Sequence, residues 1–228
     1  MDYLLKKFKE NVGPLLEPLG FKSKGRKFYI RVTEERIYQS VELDKHPPFF
    51  YYIKYMAAPL FLGGGIYLSH GGDRLDKAWA NHEKSEAWHD WNAASMARAI
   101  EDILIPFFEK TKTLEGAYQA EYEGHSMGRN YTLGLYDAHR GECQTVVDEI
   151  DRILKLDEEG TKHNIASFRR LKVMTEEEIQ EYIKRIDKKR EDALQKRAFF
   201  TESGPETIKK YFESNEEEFI RVSKWKFE

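Results

Sequence analysis

The chain has 228 residues, 40% hydrophobic and 34% charged, and its 37 Lys and Arg against 40 Asp and Glu leave a net charge of −3. With 15 Gly and 7 Pro the composition excludes collagen-like and low-complexity classes, the aromatic content argues against disorder, and the charge balance leaves no global field to hold a phosphate backbone or an anionic membrane. Aromatic residues are the outlying number at 14%, which predicts a well-filled core but names no reaction.

Leu4, Leu5, Phe8, Val12, Leu15, Leu16 and Leu19 recur at helical spacing and predict an amphipathic helix over residues 3–18. Pro14 should kink or split it, and Gly20 should stop it. The N-terminus, Met1-Asp2-Tyr3-Leu4-Leu5-Lys6-Lys7, lacks the long apolar run of a signal peptide. From Arg26 the period changes. Phe28–Val32 is rich in β-formers, Thr33-Glu34-Glu35 is a candidate hairpin turn, and Ile37, Gln39, Val41 and Leu43 alternate with Tyr38, Ser40, Glu42 and Asp44 as a half-buried strand does. Pro47-Pro48 interrupts the pairing before Phe49–Met56, and Pro59–Ser69 is read as a fourth extended run. Short links between successive strands favour an antiparallel meander. A membrane helix needs ~20 mainly apolar residues, and Lys54, Pro59 and Gly63-Gly64-Gly65 interrupt the most apolar stretch, 49–68. The three glycines mark a bulge or a close backbone approach, to a neighbouring strand or a ligand.

After His70-Gly71-Gly72-Asp73 the chain is expected to be helical almost to its end. Asp73 can cap a short helix to Ala80, and Asn92 a longer one with Met96, Ile100, Ile103, Leu104 and Phe107 on one face and a kink or stop near Pro106. Residues 111–130 are the least periodic and hold Gly116, Gly124 and Gly128, so a boundary is placed there between a sheet domain, 1–110, and a helical region, 111–228. Tyr131–His139 and Glu142–Leu156 read as a helical hairpin around Arg140-Gly141. Thr175-Glu176-Glu177-Glu178 is a capping box opening a long helix, and Ser203-Gly204-Pro205 ends it and starts the last. The expected fold is α+β, an antiparallel sheet of about four strands with packing helices, followed by a helical C-terminal region. The lone Cys143 excludes an intramolecular disulfide and reads as an inert core thiol, so a soluble cytoplasmic protein is expected.

The stretch Leu15-Leu16-Glu17-Pro18-Leu19-Gly20-Phe21-Lys22-Ser23-Lys24-Gly25-Arg26-Lys27-Phe28-Tyr29 resembles the opening of an uncharacterised bacterial domain family, in which a leading helix runs into a Gly-Phe-Lys-x-Lys-Gly-x-x-Phe-Tyr turn and then a small antiparallel sheet. The resemblance covers the first half of the chain. It implies an α+β domain of unknown function and supplies no catalytic residues.

Four chemistries compete with plain packing. Gly20–Lys27 misses the phosphate-loop pattern, since Arg26-Lys27 stand where Lys-Ser or Lys-Thr is needed and the order is helix to strand. Lys22, Lys24, Arg26 and Lys27 beside Phe21, Phe28 and Tyr29 could face RNA, but a solvated turn is the favoured reading of so balanced a chain. Residues 70–91 hold three of seven His and three of four Trp. His82, Glu86 and His89 invite a metal site, yet on one helix the outer pair would rise ~10.5 Å apart, too far for one metal without another ligand such as His70 with Asp73. Phe49, Phe50, Tyr51, Tyr52 and Tyr55 fall on both faces of a strand; one face must pack on the core, and the other meets a helix or offers Tyr rings to a partner.

The function read from these residues is a non-catalytic interaction or binding protein. Its candidate binding residues are His70, Asp73, Trp79, His82, Trp88, His89, Tyr51 and Tyr55. No catalytic residue, metal or cofactor is assigned; a protein partner is expected, without a membrane and with nucleic acid disfavoured. The alternatives are a hydrolase-type or metal-assisted enzyme centred on His70, Asp73, His82 and His89, and RNA binding through the 22–27 turn.

Overall fold

Helix α1 (Tyr3–Leu16) exists because Leu4, Phe8, Val12 and Leu16 stack one turn apart, and all four are fully buried. The computed structural model describes residues 3–46, 50–63, 73–75, 77–80, 85–123 and 129–223. The helix runs through Pro14, then tightens into a 3-10 turn, Glu17–Leu19. Gly20 closes that turn with φ 86° and donates its N–H to the Glu17 carbonyl at 3.0 Å, the stop expected of it.

The sheet is antiparallel throughout. Strands β1 (Lys22–Lys24), β2 (Phe28–Val32), β3 (Ile37–His46) and β4 (Phe50–Pro59) pair in that order, and β5 (Asp73–Arg74) and β6 (Trp79–Ala80) both pair with the outer edge of β4. Register places Tyr29 opposite Val41, Val41 opposite Tyr55 and Tyr51 opposite Trp79. The α+β class and the meander are as the alternation predicts. Three expectations change. Leu60–Leu62, part of the anticipated fourth strand, form a buried 3-10 turn, and residues 64–69 of that run lie outside the described residues. Asp73–Arg74 and Trp79–Ala80 are short strands where a helix from Asp73 to Ala80 is expected, because the free edge of β4 offers hydrogen bonds that a helix too short to nucleate cannot match. β1 is a third addition, three exposed residues with no periodic signal of their own.

Helix α2 (Glu86–Ala99) begins six residues before the expected cap. Ser85 is the cap, its hydroxyl accepting the Trp88 N–H at 3.3 Å, while Asn92 is buried inside the helix. Ser and Asn cap about equally well, so composition does not choose between them; packing does. A π-helical stretch, Ile100–Leu104, joins α2 to α3 (Ile105–Lys110). There the Ile105 N–H reaches back to the Ile100 carbonyl, and the wider turn absorbs Pro106 without breaking the rod. α4 (Leu114–Glu123) occupies much of the stretch expected to be irregular. Gly116 is there for packing: it lies on the Lys110 carbonyl with no room for a Cβ.

The chain divides into two compact units, Met1–Ser126 with Ser214–Glu228, and Met127–Glu213. In the first, one face of the sheet (Tyr29, Val41, Leu43, Tyr51, Ile53, Trp79) closes on the buried stripe of α1 and on Ala93, Met96, Ile100, Leu104 and Phe108. On the other face Ile30, Tyr38 and Ala58 are buried, and Tyr38 meets Phe219 edge-on at 5.5 Å. A Cβ on Gly63 would lie 3.0 Å from Asn215, so the glycine signal marks a close approach to a helix. Burial pushes the Tyr29 phenol from 10.0 up to about 12, with Glu17 adding to the rise. A folded pKa above the unfolded one means that this contribution is complete below pH ~10 and is lost as pH rises toward 12. Tyr29→Phe should therefore flatten part of the alkaline decline of stability between those limits, measured by urea unfolding at stepped pH. Tyr131, which burial likewise pushes up to about 12, contributes to the part that remains.

The second unit holds α5 (Arg129–His139), α6 (Gln144–Leu171), α7 (Glu176–Glu202) and the first half of α8 (Pro205–Ser223). α5 and α6 form the expected hairpin, and Cys143 stands half-buried just before α6, where burial pushes its thiol up. Phe200, Ile208, Phe212, Tyr136 and Val146 are buried. The capping box of α7 is complete: the Glu178 N–H donates to Thr175 Oγ1 at 3.2 Å and the Thr175 N–H to Glu178 Oε2 at 2.7 Å. Thr175→Ala should cost about 1 kcal/mol, read as a fall in urea midpoint at constant slope. No helix among the described residues is long and apolar enough to cross a membrane.

Candidate interaction site

The two-residue strand β6 carries Trp79 into the core, where 1% of it stays exposed. Its indole N–H donates to Ser95 Oγ at 3.2 Å, and Lys77 Nζ donates to the same oxygen at 2.9 Å while lying 5.4 Å from the indole centroid. Ser95 thus fastens the middle of α2 to the sheet edge.

One and two turns toward the helix N-terminus on that side stand Trp91 and Trp88. Their rings stack at 5.2 Å and 19°; Trp88 is half-buried and Trp91 is 57% exposed. The i, i+3 spacing on a helix is what brings two indoles face to face. The other side of the first turns is tied to α1. Tyr3 Oη donates to Asp90 at 3.4 Å, Lys7 pairs with Asp90 at 3.5 Å, and the His89 ring lies tilted over Tyr3 at 6.1 Å. Burial, then the Asp90 carboxylate, pushes the Tyr3 phenol up. His89 Nδ1 is buried and has no hydrogen-bond partner among the described residues.

Among the candidate residues the structure therefore brings Trp79, Trp88 and His89 onto or against one helix. Tyr51 and Tyr55 are on the sheet's covered face: Tyr51 is buried, and Tyr55 packs edge-on to Phe107 at 5.0 Å. The opposite face of β4 carries Phe50, 44% exposed, and Tyr52, with ring centroids 6.5 Å apart. Arg74 lies 4.8 Å from the Tyr52 centroid and donates to Asp44 at 2.8 Å, and Lys54 pairs with the same carboxylate at 3.1 Å. Burial pushes the Asp44 carboxyl up, but its bonds from Lys54 and Arg74 outweigh that and hold the group below the ordinary carboxylate range. His70 and His82 lie outside the described residues, and of Asp73 the backbone is placed, in β5. Among the described residues no three His, Cys, Asp or Glu side chains gather as a metal centre.

Trp91, Tyr3, Lys77 and Ser95 complete the surface and are not among the candidate binding residues read from the sequence, although Trp91 is one of the three tryptophans that mark the 70–91 segment. The one signal for them is the Trp88–Trp91 spacing, which needs the helix to start at Ser85 to have meaning. Comparison with protein-family models, with curated proteins and with solved structures finds no match to this chain.

Proposed function

We propose that this chain is a non-catalytic interaction protein that docks a protein partner on the Trp88–Trp91 stack. The observation behind this reading is an indole 57% exposed and yet held in place by a parallel neighbour. Trp is the residue most enriched where a few side chains carry an interface. Covering the exposed part of such a ring, roughly 100 Å² of apolar surface, is worth about 2–3 kcal/mol. The stack also removes most of the rotamer freedom that docking would otherwise have to freeze. Anchorage through Ser95 to Trp79, and through Asp90 to Tyr3 and Lys7, supports the platform from both sides.

The test places a photocrosslinking residue at position 91 in living cells, with a control at Leu171, which is equally exposed in the other unit. A discrete adduct at 91 that is absent at 171 and disappears with Trp88→Ala supports the reading. Adducts shared by both positions, or an adduct indifferent to Trp88→Ala, overturn it. Trp91→Ala should shift unfolding by no more than ~1 kcal/mol, so loss of the partner in that variant would not reflect loss of the fold.

A further inference from the structure

A groove of about 480 Å³ crosses α1 where Gly13 and Pro14 interrupt its side-chain surface. Gly13 contributes no side chain to its floor, and Pro14, lacking an N–H, leaves the Glu10 carbonyl without its helical donor. Beneath Gly13 lies the Tyr29 hydroxyl. A Cβ on Gly13 would sit 3.3 Å from that oxygen and 3.3 Å from Glu17 Oε1, so the phenol comes close under the helix surface where the groove floor lacks a side chain. Tyr29 is fully buried, and its hydroxyl has no hydrogen-bond partner among the described residues. An orphan hydroxyl at such a depth is costly unless something takes its proton in a hydrogen bond.

Charges around the rim are unequal. Glu10 is satisfied by Lys6 at 3.6 Å and Lys7 at 3.1 Å. That leaves Lys9 and Arg26, which have no ion-pair partner among the described residues, against the single carboxylate of Glu17. Arg26 comes from the β1–β2 turn and Lys9 from α1, so the fold gathers cations that are 17 positions apart. Two positive charges and one negative leave room for one more negative charge. A dianion would set its second charge against Glu17.

From this juxtaposition we propose that the groove binds a small monocarboxylate with an apolar body: the carboxylate between Lys9 and Arg26, where the Tyr29 hydroxyl donates to it once the exposed Glu17 side chain turns aside, and the apolar part along Pro14. The volume matches that of a small-molecule site. This site is independent of the tryptophan platform.

The test is a titration of the full chain followed by amide NMR, with octanoate as the probe, octylammonium as its charge-reversed control and inorganic phosphate as the anion without an apolar body. Octanoate should shift the amides of Gly13, Glu17 and Arg26 to saturation. Lys9→Ala with Arg26→Ala, both on the surface, should weaken it about tenfold. Tyr29→Phe should weaken it several-fold while leaving the fold intact, which the rest of the spectrum reports. Octylammonium producing the same shifts, phosphate binding as tightly as octanoate, or octanoate binding unchanged in the double variant would each overturn the assignment.

Discussion

Arg31→Met is expected to destabilise the first unit by about 3 kcal/mol, seen as a lower urea midpoint with unchanged slope. The guanidinium is where three elements meet. From β2 it donates to the Leu19 carbonyl at 2.6 Å, to Gln39 Oε1 on β3 at 2.6 Å, and to the Phe108 carbonyl at the end of α3 at 3.3 Å. It also lies 4.8 Å from the Phe21 centroid and pairs with Glu109 at 3.3 Å. Gln39 is fully buried and spends its amide on the Phe108 carbonyl and Thr111 Oγ1, both at 2.9 Å. Methionine keeps the stem's packing but leaves the Leu19 carbonyl and Gln39 Oε1 without these donors, each costing about 1–3 kcal/mol when buried. The exposed Glu109 pair adds little. Arg31→Lys should recover less than half of the loss, because one ammonium cannot reproduce a fork that reaches three acceptors in different directions.

Helix α1 and strands β2 to β4 were legible because each buries one face over several periods, and period is what a sequence displays. Leu4, Phe8, Val12 and Leu16 repeat the helical turn; Ile37 to Asp44 alternate through a strand. The capping box at Thr175 was legible for a different reason, since both of its hydrogen bonds join residues three apart. β5 and β6 had no such signal. Two residues cannot show alternation, and they are strands only because β4 has an edge to offer. Ser85 and Asn92 are equivalent caps on paper, and the choice turns on packing, which buries Asn92 inside the helix. The tyrosines of β4 posed a parity question: the strand was evident, but which of Tyr51 and Tyr52 faces the core depends on register against β3, where Tyr51 falls opposite Lys45 and joins the row of Leu43 and Val41. The groove over Gly13 was the least legible feature. Its cations come from a helix and a hairpin turn, and Lys9, Arg26 and Tyr29 share no spacing that a linear reading could single out.

Trp79→Ala is expected to cost about 4 kcal/mol, the largest effect of any single substitution considered. Trp79 is among the largest fully buried side chains, so its removal leaves a cavity that the flanking residues Tyr51 and Leu75 cannot fill without shifting β4. Trp79→Phe should restore well over half, since it returns most of the apolar volume and lacks only the indole N–H. The hydroxyl it leaves, Ser95 Oγ, still accepts from Lys77 and is only half-buried, so that missing bond is worth about 1 kcal/mol. The two variants separate packing from positioning. Beyond core packing, the indole N–H to Ser95 and the Lys77 ammonium beside it tie the β6 edge to α2 by hydrogen bonds. If that clasp sets the angle at which α2 presents its tryptophans, Trp79→Phe should fold nearly as well as the parent and yet weaken the exciton signature of the Trp88–Trp91 stack in near-ultraviolet circular dichroism. An unchanged signature in Trp79→Phe would assign the positioning of the platform to Asp90 and its bonds to α1, and Asp90→Asn would then be the variant in which the stack loosens.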